Sequence, residues 1–234
     1  MRKIIGLILI CVMGYGWCYA IDRLQIEAEV RRQVQDVSET RWTDAQLYSI
    51  IEMAHIDVVR KSRCLQGTTV YTTYQSTREY TLPSDLLLVE RVGFKILNST
   101  SAYEKMERMT LFGLDADRTQ WQTEGNGKPL EYYIWGNQLG LVPPCSNTYA
   151  GNYLKIWYVV SPSSMTTDSS TPFNDYKFLY PYHELIIWRA AMICKTEERL
   201  FGEAAAYENR YYQLLTIMIK ELNSKPDYFP DFKM

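Results

Sequence analysis

The side chains that could do chemistry are few, and each falls short of a complete constellation. His55 and His183 are the only imidazoles in 234 residues. His183 opens the run His183-Glu184-Leu185-Ile186-Ile187. A zinc-binding helix of the HExxH type needs its second histidine at 187, one turn on, so that both rings reach one ion; Ile187 stands there instead. His55 lies beside the apolar stripe of its own helix and reads as a helix-surface or interface histidine. Asp115 and Asp117 are the residue type for metal binding or acid–base work. In a polar stretch they read as solvated carboxylates, with a hydrolase built on them as the remaining enzymatic reading. Gly125-Asn126-Gly127-Lys128-Pro129 lacks the spacing of a phosphate loop, and Pro129 occupies the place a Ser or Thr must hold. It reads as a turn. No GxSxG elbow offers a nucleophile. Cys11, Cys18, Cys64, Cys145 and Cys194 include no C-x-x-C pair and read as buried thiols. The expectation is a chain with no catalytic residue, no metal and no cofactor.

The elements around these residues follow from periodicity. Residues 21 to 37 are charged and helical, with Leu24, Ala28 and Arg31 on one stripe and Val30, Val34 and Val37 on another. Thr43 with Gln46 forms a capping box, and Trp42 with Leu47 a hydrophobic staple. Leu47, Ile50, Ile51, Ala54 and Val58 then mark one helical face, ending near Arg60, Lys61 and Arg63. After Gly67 the period shortens. Strands are expected over 68–74, 78–82, 86–94, 130–135, 138–142 and 153–160, with a hairpin turn at Gly136-Asn137. Leu82-Pro83-Ser84-Asp85 is a corner: Pro83 cannot donate to a ladder, and Ser84 or Asp85 can bond back to the backbone. It reads as a joint in a scaffold. Residues 103 to 119 suggest a short helix plus a loop, and 161 to 172 a polar connection. The helical period returns from about Pro181, and a last helix over 204–222 carries Tyr207, Tyr211, Leu214, Leu215 and Met218 on one side.

This order defines an α+β fold: N- and C-terminal helices packed together as a body, with an inserted antiparallel β-rich domain. The expected division is 21–66, 67–162 and 173–222, with an extended tail at 223–234. A chain of this length buries roughly 70% of its unfolded surface, enough for such a core. Apolar residues make up 47% and charged residues 22%, the balance of a globular chain. With 25 basic against 27 acidic residues, the surplus of a dedicated nucleic-acid binder is absent. Arg60, Lys61, Arg63 and Arg78 read as helix-end and strand-edge cations. Nineteen tyrosines and six tryptophans suit strands and protein interfaces. Residues 1 to 20 have a positive start, an apolar run and small residues near Ala20, the pattern of an export signal; the other readings are a start misplaced upstream of Met13 and a retained apolar arm that packs against a neighbour.

Several stretches together resemble the head-to-tail adaptor, or connector, family of short-tailed bacteriophages. RWTDAQLYSIIEMAHIDVVRKSRC is similar to the family's opening helix, and REYTLPSDLLLVERV to its strand corner. GKPLEYYIWGNQLGLVPP resembles its aromatic strand, short turn and Pro-Pro exit. YLKIWYVVSP and the apolar helix from Tyr182 to Ile193 complete the order, over about residues 24 to 222. The resemblance implies a structural virion protein assembled in the host cytoplasm. It implies a ring, dodecameric by resemblance, between the portal protein and tail or nozzle proteins. DNA would meet it only in passing through the channel that the ring helps to close. It implies no catalytic residue. The candidate partner contacts are Trp42, Tyr48, His55, Arg60, Arg63, Tyr211, Tyr228, Phe229 and Phe232. The competing expectation, from the first 20 residues and the aromatic strands, is an exported, non-enzymatic binding protein.

Overall fold

Two reciprocal caps start the first two helices. A computed structural model describes residues 21–224. In α1 (Arg23–Val34), the Asp22 carboxylate accepts from the Gln25 N–H at 2.8 Å and the Asp22 N–H donates to Gln25 Oε1 at 3.0 Å. The helix stops earlier than its charge pattern suggests, because Gln35 turns left-handed at φ 61°. Its buried stripe is Ile26, Val30 and Val34, whereas Leu24 and Val37 face solvent. Thr43 and Gln46 cap α2 (Asp44–Ser62) in the expected box. Trp42, Leu47, Ile50, Ile51, Ala54 and Val58 are all buried in one core. Arg63, left-handed at φ 55°, closes the helix by donating its N–H to the Val59 carbonyl at 2.8 Å.

Between α2 and the C-terminal helices the chain forms eight strands in two sheets. They are β1 (Gln66–Thr72), β2 (Glu79–Thr81), β3 (Leu86–Lys95), β4 (Glu104–Lys105), β5 (Glu107–Arg108), β6 (Glu131–Trp135), β7 (Gln138–Val142) and β8 (Tyr153–Val160). The first sheet runs β1-β8-β3-β4 and is antiparallel throughout; the second runs β2-β7-β6-β5, with only β5 parallel to its neighbour. Val92, Phe94, Leu154 and Ile156 from the first sheet share a core with Tyr80, Tyr132, Leu139 and Leu141 from the second. The two sheets therefore form a sandwich.

The Leu82–Asp85 corner carries the chain from one sheet to the other, since β2 and β3 belong to different sheets. Leu82 N–H donates to Asn137 O at 2.8 Å, and Ser161 N–H donates to Asp85 O at 2.7 Å. The Tyr158 hydroxyl reaches Asp85 Oδ1 at 3.3 Å. The corner ties both sheets and the exit of β8 together, which is the work of a joint. Gly136, at φ +57°, turns the β6–β7 hairpin. Gly140 lies across from Tyr133, whose ring lies so close that a Cβ at 140 would come within 2.0 Å of it.

Residues 103 to 119 hold the expected short helix, α3 (Leu111–Asp117), capped by Thr110. They also hold β4 and β5, which are too short to leave a period in the sequence. Leu114 packs with Trp121, Tyr133 and Val142 in a small core on the outer side of the second sheet.

The helical body consists of α1, α2, α4 (Glu184–Glu197) and α5 (Phe201–Ser224), with short 3-10 turns at Phe173–Asp175 and Lys177–Tyr182 leading into α4. Val159 of β8 belongs to this body's core, whereas its neighbour Tyr158 belongs to the sandwich core. Side chains alternate across a strand, so β8 serves both cores. The loop before α4 is pinned rather than free: Met165 is fully buried, its N–H donates to Glu52 at 2.7 Å, and Arg23 N–H donates to Ser170 O at 2.9 Å.

Candidate interaction surfaces

The two histidines meet, but inside the body. His55 is fully buried, a correction to its reading as a surface or interface residue. Its Nε2 accepts the Phe173 N–H at 2.9 Å. The Phe173 ring stands edge-on to His55 at 5.1 Å and stacks on His183 at 5.7 Å. Phe173, Asn174 and Asp175 are all left-handed, at φ 56°, 53° and 60°. The His55 acceptor holds the first of these in place. His183 Nδ1 accepts from the Ile21 N–H at 3.4 Å. Burial, reinforced by His183, pushes His55 down to about 3, and burial pushes His183 down to about 4. Both rings are neutral near pH 7, wedged around a phenyl ring. They brace a strained turn.

The other candidates are likewise built into the scaffold. Asp115 accepts from Trp121 Nε1 at 2.7 Å, holding the loop after α3. Gly127 donates to Pro144 O and accepts from Ser146 N–H, and Lys128 pairs with Glu104 at 2.5 Å. Cys64, Cys145 and Cys194 are buried free thiols, raised above the ordinary range chiefly by burial. Cys11 and Cys18 lie outside the described residues. Among the described residues no group of three or more His, Cys, Asp or Glu side chains is placed to hold a metal ion. Nor is any helix there long and apolar enough to cross a membrane.

The candidate partner contacts divide by burial. Trp42 and Tyr211 are turned into the subunit, with His55: Trp42 Nε1 donates to Glu198 at 3.0 Å, and the Tyr211 hydroxyl to Asp57 at 3.2 Å. None of these three offers free surface in the subunit: all are buried, and Trp42 Nε1, His55 Nε2 and the Tyr211 hydroxyl each find a partner more than 100 residues away. Tyr48 is half-buried beneath the Arg23 guanidinium, 5.0 Å from its ring centre. Arg60 and Arg63 are exposed, reaching Asp57 and Glu90. Tyr228, Phe229 and Phe232 lie outside the described residues.

A surface the sequence reading did not single out lies on the outer face of the first sheet. Arg91 pairs in register with Trp157, Gly93 with Lys155 and Lys95 with Tyr153. A Cβ on Gly93 would lie 3.0 Å from the Trp157 ring and 3.0 Å from Tyr103 Cβ, so both aromatic residues sit directly on the strand. The two rings meet edge to face at 5.6 Å. Arg91 and Lys155 lie over Trp157 at 4.8 and 4.7 Å, and Lys95 over Tyr103 at 5.7 Å. The sequence signal was the alternate spacing of 91, 93 and 95 against 153, 155 and 157. It becomes visible only once β3 is paired with β8.

Fold and surfaces define a structural subunit, with polar groups spent on bracing and aromatic–cationic side chains turned outward. The family model described as SU10 adaptor protein matches residues 21–228, and the chain belongs to that family of phage head-to-tail adaptors. No curated protein matches the chain. Its role is thereby that of a structural phage adaptor and virion component, and the exported reading receives no support.

Proposed function

We propose that copies of this chain form a closed ring that joins the portal to tail or nozzle proteins and helps to close the DNA exit channel. The observation behind this reading is the adaptor family match across the helical body and the sandwich alike. Two separate cores give the subunit two blocks with distinct surfaces. A ring repeats one heterologous contact until it closes, and such a contact needs distinct surfaces on one subunit. The exposed Arg60 and Arg63 with half-buried Tyr48 form the helical-side contact to the portal, and the β domain (67–162) faces neighbouring copies or the tail. DNA passes through the channel without being read. The chain carries out no catalysis. Imaging the full chain by electron microscopy, alone and mixed with its phage's portal protein, tests this. Rings, or copies added around the portal, are expected. A chain that stays monomeric at high concentration and ignores the portal overturns the reading.

A further inference from the structure

The seven residues of β1 leave a row of backbone groups open. The strand pairs only with β8, at one end of the first sheet. Val160 N–H donates to the Leu65 carbonyl at 2.9 Å, and Thr73 N–H donates to the Asn152 carbonyl at 2.8 Å. These two bonds fix the phase of the ladder between them. Hydrogen-bonded residues alternate along an antiparallel strand, so Gly67, Thr69 and Tyr71 turn their N–H and C=O groups to β8. Gln66, Thr68, Val70 and Thr72 turn theirs away, and among the described residues none bonds to them. Natural sheets shield such edges by shortness, charge, proline or a bulge. The other three outer strands do so: β2 has three residues and β4 and β5 two each, with Glu79, with Glu104 and Lys105, and with Glu107 and Arg108. In β1, Gln66-Gly67-Thr68-Thr69-Val70-Tyr71-Thr72, there is no charge and no proline. None of the seven is buried, and the register to β8 runs without a bulge.

We infer that this edge receives the N-terminal arm of a neighbouring copy, with residues 4–10 adding to β1 as a further strand. The inference rests on the ring reading and names one contact within it. An unpaired edge is complemented by extended backbone, whose main-chain bonds supply the attachment. Ile4-Ile5-Gly6-Leu7-Ile8-Leu9-Ile10 has the composition of a pairing strand: no charge, no proline, one glycine, and a β-branched side chain at four of seven positions. It matches β1 in length. Residues 1–20 lie outside the described residues, and the described chain starts at Ile21, in the helical body beside His183. The tether between them, residues 11–20, spans about 35 Å when extended. That is the width of a small domain, so the arm reaches an adjacent subunit. Arm and edge are different surfaces of one subunit, as a head-to-tail contact requires. The C-terminal segment 225–234 is the weaker occupant, because Pro226 and Pro230 leave it no more than four consecutive backbone donors.

The test is amide hydrogen exchange at residue resolution on the full chain, as dilute monomer and as assembly, alone or on portal rings if copies assemble only there. The outward amides of Thr68, Val70 and Thr72 are expected to exchange fast in the monomer and at least roughly tenfold more slowly in the assembly, whereas Thr69 and Tyr71 are slow in both. Ile8→Pro, outside the described fold, should leave the outward amides fast and weaken association roughly tenfold by sedimentation velocity. Val70→Pro removes only an outward N–H and spares the β8 ladder; it should weaken association likewise while the denaturation midpoint stays close to the parent's. If assembled copies leave Thr68 and Val70 exchanging as in the monomer, the edge is open and the inference fails while the ring stands. If Ile8→Pro leaves both amides fully protected in the assembly, a different strand holds the edge and the arm is the wrong occupant. Protection already present in the dilute monomer puts the strand in the same chain and overturns the exchange between copies. If the parent chain never assembles, the ring reading falls and the inference with it.

Discussion

Arg31 shows how much of the subunit depends on single charged side chains. It is buried where α1 turns toward α2, and its guanidinium reaches Glu27 at 3.0 Å, Asp44 at 2.6 Å and the Trp42 carbonyl at 3.0 Å, with Asp36 at 3.6 Å. Asp36, with no exposed side-chain surface, also accepts from the N–H groups of Thr40, Arg41 and Trp42; despite burial, these hold its carboxyl below the usual range. Removing one member strands the others. Arg31→Met is expected to cost about 3–5 kcal/mol in urea denaturation, the range for breaking a buried charge cluster. Exposed Arg32→Met should leave the midpoint in place. Gly140 is a second sensitive position: Gly140→Ala must displace the Tyr133 ring and its bond to Glu79, costing about 1–3 kcal/mol by the same assay. At this scale the sequence was legible only locally. Glu27, one turn from Arg31, shows in the spacing; Asp44 and Asp36 do not. Trp42, His55 and Tyr211 looked like partner contacts because Glu198, Phe173 and Asp57 are remote in sequence.

At the scale of elements, the turn leading into α4 is the one most exposed to pH. Phe173, the first of its three left-handed residues, lies between His55 and His183, and both rings are held neutral by burial. The folded-state values, about 3 and about 4, lie below the unfolded value near 6.5. The unfolded chain therefore binds more protons between those limits. Stability contributed by the neutral rings is complete above about pH 6.5 and is lost as pH falls toward 4. By pH 5 the loss is roughly 2 kcal/mol per histidine. Denaturation midpoints measured from pH 7 to 5 should fall steeply, and His55→Gln, which keeps an acceptor for the Phe173 N–H, should reduce the slope by about half. An unchanged slope would assign the acid sensitivity elsewhere. The elements that could be read in advance carry their own local signals: the Thr43–Gln46 box, the Gly136–Asn137 hairpin and the strands over 138–142 and 153–160. Those that could not, β4 and β5, are two residues long and exist only because β3 and β6 are there to pair with them.

For the whole molecule, β8 decides whether the subunit behaves as one body or two. Leu154, Ile156 and Tyr158 fill the sandwich, while Val159 fills the helical core with Leu65 and the apolar faces of α2 and α4. The sequence showed an aromatic strand here but not which core each residue joins, because that depends on sheet and helices closing on opposite sides of it. The same alternation puts Lys155 and Trp157 on the strand face that carries Val159, beside Tyr103. A rigid link between the blocks matters to an adaptor, since motion between them would blur the angle between any portal-facing and any tail-facing surface. If β8 is that link, Val159→Ala should cost about 1–3 kcal/mol and should do so unevenly. Hydrogen exchange should speed up in the amides of α2 and α4 while β6 and β7 keep their protection. Ile156→Val should show the opposite order, with the sandwich opening before the helices. Were either substitution to lower protection equally in both blocks, the subunit would be one cooperative unit, and the strand would be simply part of its core.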